Sequence, residues 1–255
     1  MPTKIFLPEN GMHRTCTKEP ISYTKEPGSW IMFVTAFAAG MWIGGGPRTI
    51  TVIIFVSLSL FLLIKAPAVQ MIRSGKPDPL PALAMLALPG AAGLAYSVWL
   101  YPPLSFLYTA GALLFALNYF FERKRGKPSQ LYAQACGMAI MGEVAVISSS
   151  AAGAIEKHLY LWALFFLFYL ASPFRVRFSS GVKKYRLIGG IYSGALLAGG
   201  VAGAALGYPA LLAFLPLSED VYSALTGRKF KLKQIGVIST IKTVIFAAVI
   251  VYLGK

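Results

Sequence analysis

The stretch NYFFERKRGKP, residues 118–128, closes an apolar run and then sets four cations within five residues. A membrane-spanning helix shows such a junction where it meets water, because lysine and arginine resist translocation and hold that end on the cytoplasmic side. The residues before it, 102–121, supply roughly the 20 apolar positions that a helix needs to cross the hydrocarbon core. On both sides of this junction the same alternation of apolar run and connector recurs.

Nine spans are expected: 29–46, 49–66, 80–98, 102–121, 130–152, 158–174, 187–206, 208–225 and 235–253. In the pairs 29–66 and 187–225 two apolar runs share a minimal turn, so either pair reads as two spans or as a re-entrant hairpin. The connectors alternate in kind. GGGPR, the turn around Tyr101-Pro102-Pro103, Glu156-Lys157-His158 and Gly207-Tyr208-Pro209 are short and nearly chargeless. KAPAVQMIRSGKPDP, ERKRGKPSQ, RVRFSSGVKKYR and TGRKFKLKQ are long and basic. Of the 24 lysines and arginines, 20 fall in the N-terminal tail and these four long connectors. Three lie on the opposite side (Arg48, Lys157 and Lys255), and Lys242 lies inside the ninth span. Because a miscount by one span would scramble that split, it predicts a cytoplasmic N-terminus and an outside C-terminus.

Composition agrees with this class and excludes others. Hydrophobic residues make up 56% of the 255 and charged residues 13%, about half the usual charged share of a soluble chain. Mean hydropathy is +0.65. The expectation is an all-α polytopic membrane bundle: a cytoplasmic tail, 1–28, and one transmembrane domain, 29–255. The net charge of +15 then reflects sorting across a bilayer, not nucleic-acid binding. The tail, with Pro2, Pro8, Pro20 and Pro27, lacks the apolar core of a signal peptide. Cys16 and Cys136 read as unpaired thiols that pack as small hydrophobes. Localisation in the inner cell membrane is expected, with membrane lipids as the surroundings.

Chemistry-bearing residues are few. Only nine carboxylates occur, no DxxD or HExxH is present, and His13 and His158 fall on opposite sides, so no metal or other cofactor is expected. GxSxG and the phosphate-binding GxxxxGK[ST] are absent as well. Two ionisable residues fall inside spans, where each is costly unless paired or hydrated: Glu143 and Lys242. At 1.5 Å per residue they sit about 20 Å and about 10 Å from the cytoplasmic ends of their helices. A shared aqueous cavity, bordered by residues such as Ser148 and Tyr192, is expected to serve both. At the rim, Asn118 and Glu122 are four apart and share a helical face. With Arg123, and with Arg175, Arg177 and Lys183 from the connector after span six, they form a candidate site for anionic headgroups or a pyrophosphate.

Three stretches resemble the YwiC-like family of membrane proteins. KEPGSW (25–30) opens the first span, LNYFFERKRGKP (117–128) matches a basic and acidic block after an apolar helix, and KLKQIGVISTIKT (231–243) opens the last. Pro27 stands where the family pattern has histidine, and Ser239 and Thr240 lie where its final helix has a glutamate. The resemblance implies a bacterial-type polytopic membrane protein. In architecture the chain also looks like UbiA-type prenyltransferases, whose two aspartate motifs hold magnesium pyrophosphate. Here Asp78 is alone after span two, and RVRFSSGVKKYR offers no acid.

Three readings of function stay open. One is binding of an anionic phospholipid or isoprenoid-phosphate ligand at the basic rim. The second is a proton-linked or small-solute transporter using Glu143 and Lys242. The third is a UbiA-like lipid-modifying transferase with a degenerate metal site. A role as a subunit of a larger membrane complex completes the field, and whether the protein catalyses a reaction stays undecided.

Overall fold

The computed structural model describes residues 27–74, 80–124, 127–153, 158–179, 183–228 and 232–253. The N-terminal tail with Cys16, the connector holding Asp78, the Glu156-Lys157 turn, Ser180, and Gly254 with Lys255 lie outside these residues. The elements in chain order are α1 (Pro27–Ile43), α2 (Thr49–Ser74), α3 (Leu80–Leu100), α4 (Leu104–Arg123), α5 (Lys127–Ala152), α6 (His158–Ser179), α7 (Lys183–Ala205), a 3-10 segment (Pro209–Leu217), α8 (Ser218–Thr226) and α9 (Leu232–Leu253). No strand occurs among the described residues. Five helices carry apolar stretches of 18 to 22 residues, long enough to cross a membrane, and α1, α2 and α6 carry shorter ones.

The apolar runs become helices because in lipid each backbone amide and carbonyl needs a partner within its own segment. Pro67, Pro89 and Pro173 are accommodated inside α2, α3 and α6. At one end of the bundle α2 and α6 continue beyond their apolar stretches into basic sequence, to Ser74 and Ser179, which marks that end as the basic end.

Within the pair 29–66, α1 and α2 are full helices of 17 and 26 residues, which settles that stretch as two helices. Span eight differs from expectation. It is not one α-helix over 208–225 but nine residues of 3-10 helix followed by nine of α-helix. Pro216 has no amide to donate and falls within the 3-10 stretch, although the prolines inside α2, α3 and α6 show that proline alone does not impose such a change. At about 2.0 Å per residue for the 3-10 part and about 1.5 Å for α8, the pair still covers about 31 Å, a bilayer's thickness.

Helix α5 is the central post, packed against α1, α2, α4 and α6. The approach of α1 is close enough that a side chain at Gly40 would run into the Ala145 carbonyl and Ser148 Oγ. Small residues let helices meet this way where lipid supplies no hydrophobic drive to association. Beyond α1 and α6 lie α9, the 3-10 segment, α7 and α8; on the other flank, α3 packs mainly on α2 and α4 on α5. The core between these layers is aromatic: Phe168 stacks on Phe246 with centroids 3.9 Å apart, and Phe165 meets Phe246 edge-on at 5.1 Å. Apolar side chains such as Met85, Phe106 and Leu113 cover the outside of α3 and α4.

Candidate functional site

The break in the eighth element places charge deep in the bundle. Helix α8 starts at Ser218, so Glu219 and Asp220 fall in its first turn. No side chain caps that end; the 3-10 segment runs straight into it, with the Ser218 amide bonded to the Leu215 carbonyl. Asp220 is 4% exposed, and Ser223 Oγ, one turn on, donates to Glu219 Oε1 at 2.6 Å. From α9, Lys242, itself 5% exposed, pairs with Glu219 Oε2 and lies 3.1 Å from Asp220 Oδ1. At 1.5 Å per residue the cluster lies about 10 Å from the far end of α8 and about 15 Å into α9. Those lengths correspond to a third to a half of a hydrocarbon core about 30 Å thick.

A narrow crevice adjoins Lys242, lined by Met32 of α1, Tyr169 and Ser172 of α6, and Ser239 and Thr243 of α9. Its back wall is fixed: the Tyr169 hydroxyl donates to the Met32 carbonyl at 2.9 Å and lies 3.1 Å from Thr35 Oγ1. The cluster thus joins α8 and α9, and the crevice beside it carries hydroxyl groups from α6 and α9.

Glu143 belongs to a different place. It is 5% exposed and faces α4, where a Cβ at Gly111 would lie 2.9 Å from its Oε2. That oxygen has no hydrogen-bond partner among the described residues. Ser148 faces α1 and bonds the Ala145 carbonyl at 3.0 Å, while Tyr192 bonds the Leu167 carbonyl at 2.8 Å. Glu143 and Lys242 are therefore not brought together, and Lys242 answers to Glu219 and Asp220 instead.

At the rim, Asn118 Nδ2 donates to the Ala133 carbonyl at 2.5 Å, tying α4 to α5. Glu122 is half-buried and Arg123 exposed at the end of the same helix. Arg175, Arg177 and Lys183 occupy the last turns of α6 and the first residue of α7, and their side chains lie outside the described residues. Helix α4 shares no packing interface with α6 or α7 among the described residues; α5 stands between α4 and α6. Among the described residues no group of three metal-ligating side chains gathers, and Cys136 is a free thiol.

Among the nine carboxylates of the sequence, Glu219 and Asp220 were not singled out as partners of Lys242. The signal was present: Pro209 and Pro216 bracket an apolar nonamer, and an acidic pair follows the second proline.

Long apolar helices around a buried ion cluster define a polytopic helical membrane protein. A family model adds the second step: residues 24–149, just under half of the chain, are similar to the YwiC-like protein family. The matched stretch holds α1 to α4, most of α5, the junction at 118–128 and Glu143, and stops short of the ion cluster. No curated protein and no solved structure matches the chain.

Proposed function

We propose that this YwiC-like membrane protein is a proton-linked or small-solute transporter whose centre is the Lys242–Glu219–Asp220 cluster. One observation carries the reading: a buried lysine is paired with two carboxylates where the 3-10 segment gives way to α8. Ionisable groups in hydrocarbon are costly and mark ion or substrate paths, and broken helices whose half-helix ends face a midplane site are the transporter arrangement. Glu143, buried in the YwiC-like half, is the candidate proton-binding carboxylate of the same cycle. Vesicles containing the protein and a pH-reporting dye test the reading. Wild-type protein should move protons under an imposed potential or a solute gradient, and Asp220→Asn should not. Vesicle pH that stays still under a potential, and under gradients of amines, amino acids and small acids alike, would end it.

The second reading is an anionic phospholipid or isoprenoid-phosphate ligand at the cytoplasmic rim, a binding role with no catalysis implied. Its support is the continuation of α6 and α7 into basic sequence, with Arg175, Arg177 and Lys183 on adjoining helix ends. Replacing those three by glutamine should abolish retention of an isoprenyl phosphate in native mass spectra while leaving neutral lipid unchanged. The UbiA-like transferase reading has the least support, because Glu219 and Asp220 are committed to Lys242 and not to a metal pyrophosphate.

A further inference from the structure

We propose that α4 is a proton-latched helix: it docks on α5 while Glu143 carries a proton, and loss of that proton releases it and opens the α4–α5 seam to water. The latch shares with the transporter reading only the proton on Glu143. It concerns the docking of one helix and needs no solute.

Glu143 is 5% exposed, and its Oε2 has no hydrogen-bond partner among the described residues. A Cβ at Gly111 would lie 2.9 Å from that oxygen, so α4 comes this close only because residue 111 is glycine, and no bulkier partner fits between them. No counter-charge is near. Residues 27–43, 49–64, 104–121 and 159–174, from the helices packed on α5, hold no charged side chain. Along the seam, Arg48 against Gly153 and Glu122 near the end of α4 are each about 15 Å away at 1.5 Å per residue. His158 begins α6, across α5 from α4. Of the tyrosines in these helices, Tyr108 is engaged with Ser97 and Tyr169 with the Met32 carbonyl, while Tyr119, Tyr132 and Tyr160 are exposed. An ionised carboxylate here would lack a counter-charge, and bare charge in hydrocarbon is costly. A proton is the ligand that fits.

Helix α4 is the element placed to respond. It packs mainly on α5, and its outer faces carry exposed Phe106, Leu113 and Phe115. At the Tyr101-Pro102-Pro103 turn it is held to α3, where the Tyr108 and Ser97 hydroxyls lie 2.8 Å apart. Toward the basic end Asn118 Nδ2 donates to the Ala133 carbonyl. Glu143 lies between these two ties, so its ionisation puts an unmatched charge in the middle of the seam. Helix α4 then swings about the turn, the Asn118 tie opens, and water enters from the basic end. Cys136 lies seven residues before Glu143, on the same face of α5, and a Cβ at the adjoining Gly137 would lie 3.8 Å from Asn118 Nδ2. The Cys136 thiol therefore reports on that path.

The test is the rate at which a charged methanethiosulfonate labels Cys136 across pH, in the purified full chain in detergent on a Cys16→Ser background. Glu143 is compared with Glu143→Gln, which mimics the protonated acid. Dividing the first rate by the second at each pH cancels the thiol's own titration. The ratio should be near unity at low pH and then climb by up to about tenfold per pH unit, the limit for release of one proton. A flat ratio overturns the latch. Should Glu143→Gln fail to fold, Met85→Cys supplies a reference within the chain that keeps Glu143, because it is exposed on α3 and outside the seam. Labelling of Cys136 relative to position 85 should then rise with pH, and a constant proportion overturns the latch equally. A rising ratio without proton movement in vesicles would keep the latch and remove the transporter; proton movement with a flat ratio would do the reverse.

Discussion

Replacing Lys242 by methionine tests the energetic reasoning behind the cluster. The substitution keeps a long apolar stem and deletes the charge that two acids share. Removing one partner of a buried ion pair costs about 3–5 kcal/mol, because the remaining charge is left uncompensated. The Asp220 side chain is 5% exposed and bears most of that cost, whereas the Glu219 side chain is 32% exposed and keeps the Ser223 hydroxyl. The lower figure, about 3 kcal/mol, is therefore the expectation. For a chain of this size about 2–4 °C accompanies each kcal/mol, so scanning fluorimetry should show a loss of about 6–12 °C. The triple change Lys242→Met, Glu219→Gln, Asp220→Asn should return to within about 1 kcal/mol of wild type, as neutral replacements of buried ions do. A single variant as stable as wild type, or a triple variant as unstable as the single, would refute the account.

Other expectations follow from other contacts. Gly111→Ala should destabilise by about 1–3 kcal/mol through overpacking against Glu143, and adding Glu143→Ala should recover most of the loss, read as coupling in a double-mutant cycle. Glu143→Gln should fold and insert normally yet stop proton movement in vesicles; a fully active Glu143→Leu would reduce Glu143 to a packing residue. Asn118→Ala should cost about 1 kcal/mol by freeing the Ala133 carbonyl, and should leave lipid retention unchanged in native mass spectra. Cysteines placed at Ser129 and Ser180 should react with impermeant reagents only from the cytoplasm, and one at Gly254 only from outside; a shared face for 129 and 254 would contradict the charge-based topology.

What could be read from the sequence was whatever the bilayer dictates directly. Hydrocarbon thickness and backbone satisfaction set the apolar runs, so the helices fall where 29–46, 80–98 or 235–253 anticipated them. Their ends were less legible: α2 and α6 extend to Ser74 and Ser179 because basic residues beyond the hydrocarbon still favour helix, which hydropathy does not register. The break at 209–217 was hidden because PALLAFLPL is as apolar as any helix, and proline alone does not end a helix in a membrane, as α2, α3 and α6 show. Once that element is taken as a regular helix, its acids fall too near the surface to meet Lys242. Glu143 and Lys242 were each identified as costly residues, but depth along a helix says nothing of azimuth. Glu143 turns to α4 and Lys242 to α8, and only packing decides that.

The pairing across α8 and α9 also imposes an order on biosynthesis. As the chain emerges, Glu219 and Asp220 reach the translocation machinery 23 and 22 residues before Lys242, so a lone α8 would have to enter lipid with its acids unneutralised. The two elements therefore partition as one hairpin, committed only after the lysine has been synthesised. The 3-10 segment, which packs against α9, waits with them. A chain halted after α8 has left the ribosome but before Lys242 has done so should keep α8 at the translocon, unreleased, while the earlier helices have already moved into the bilayer.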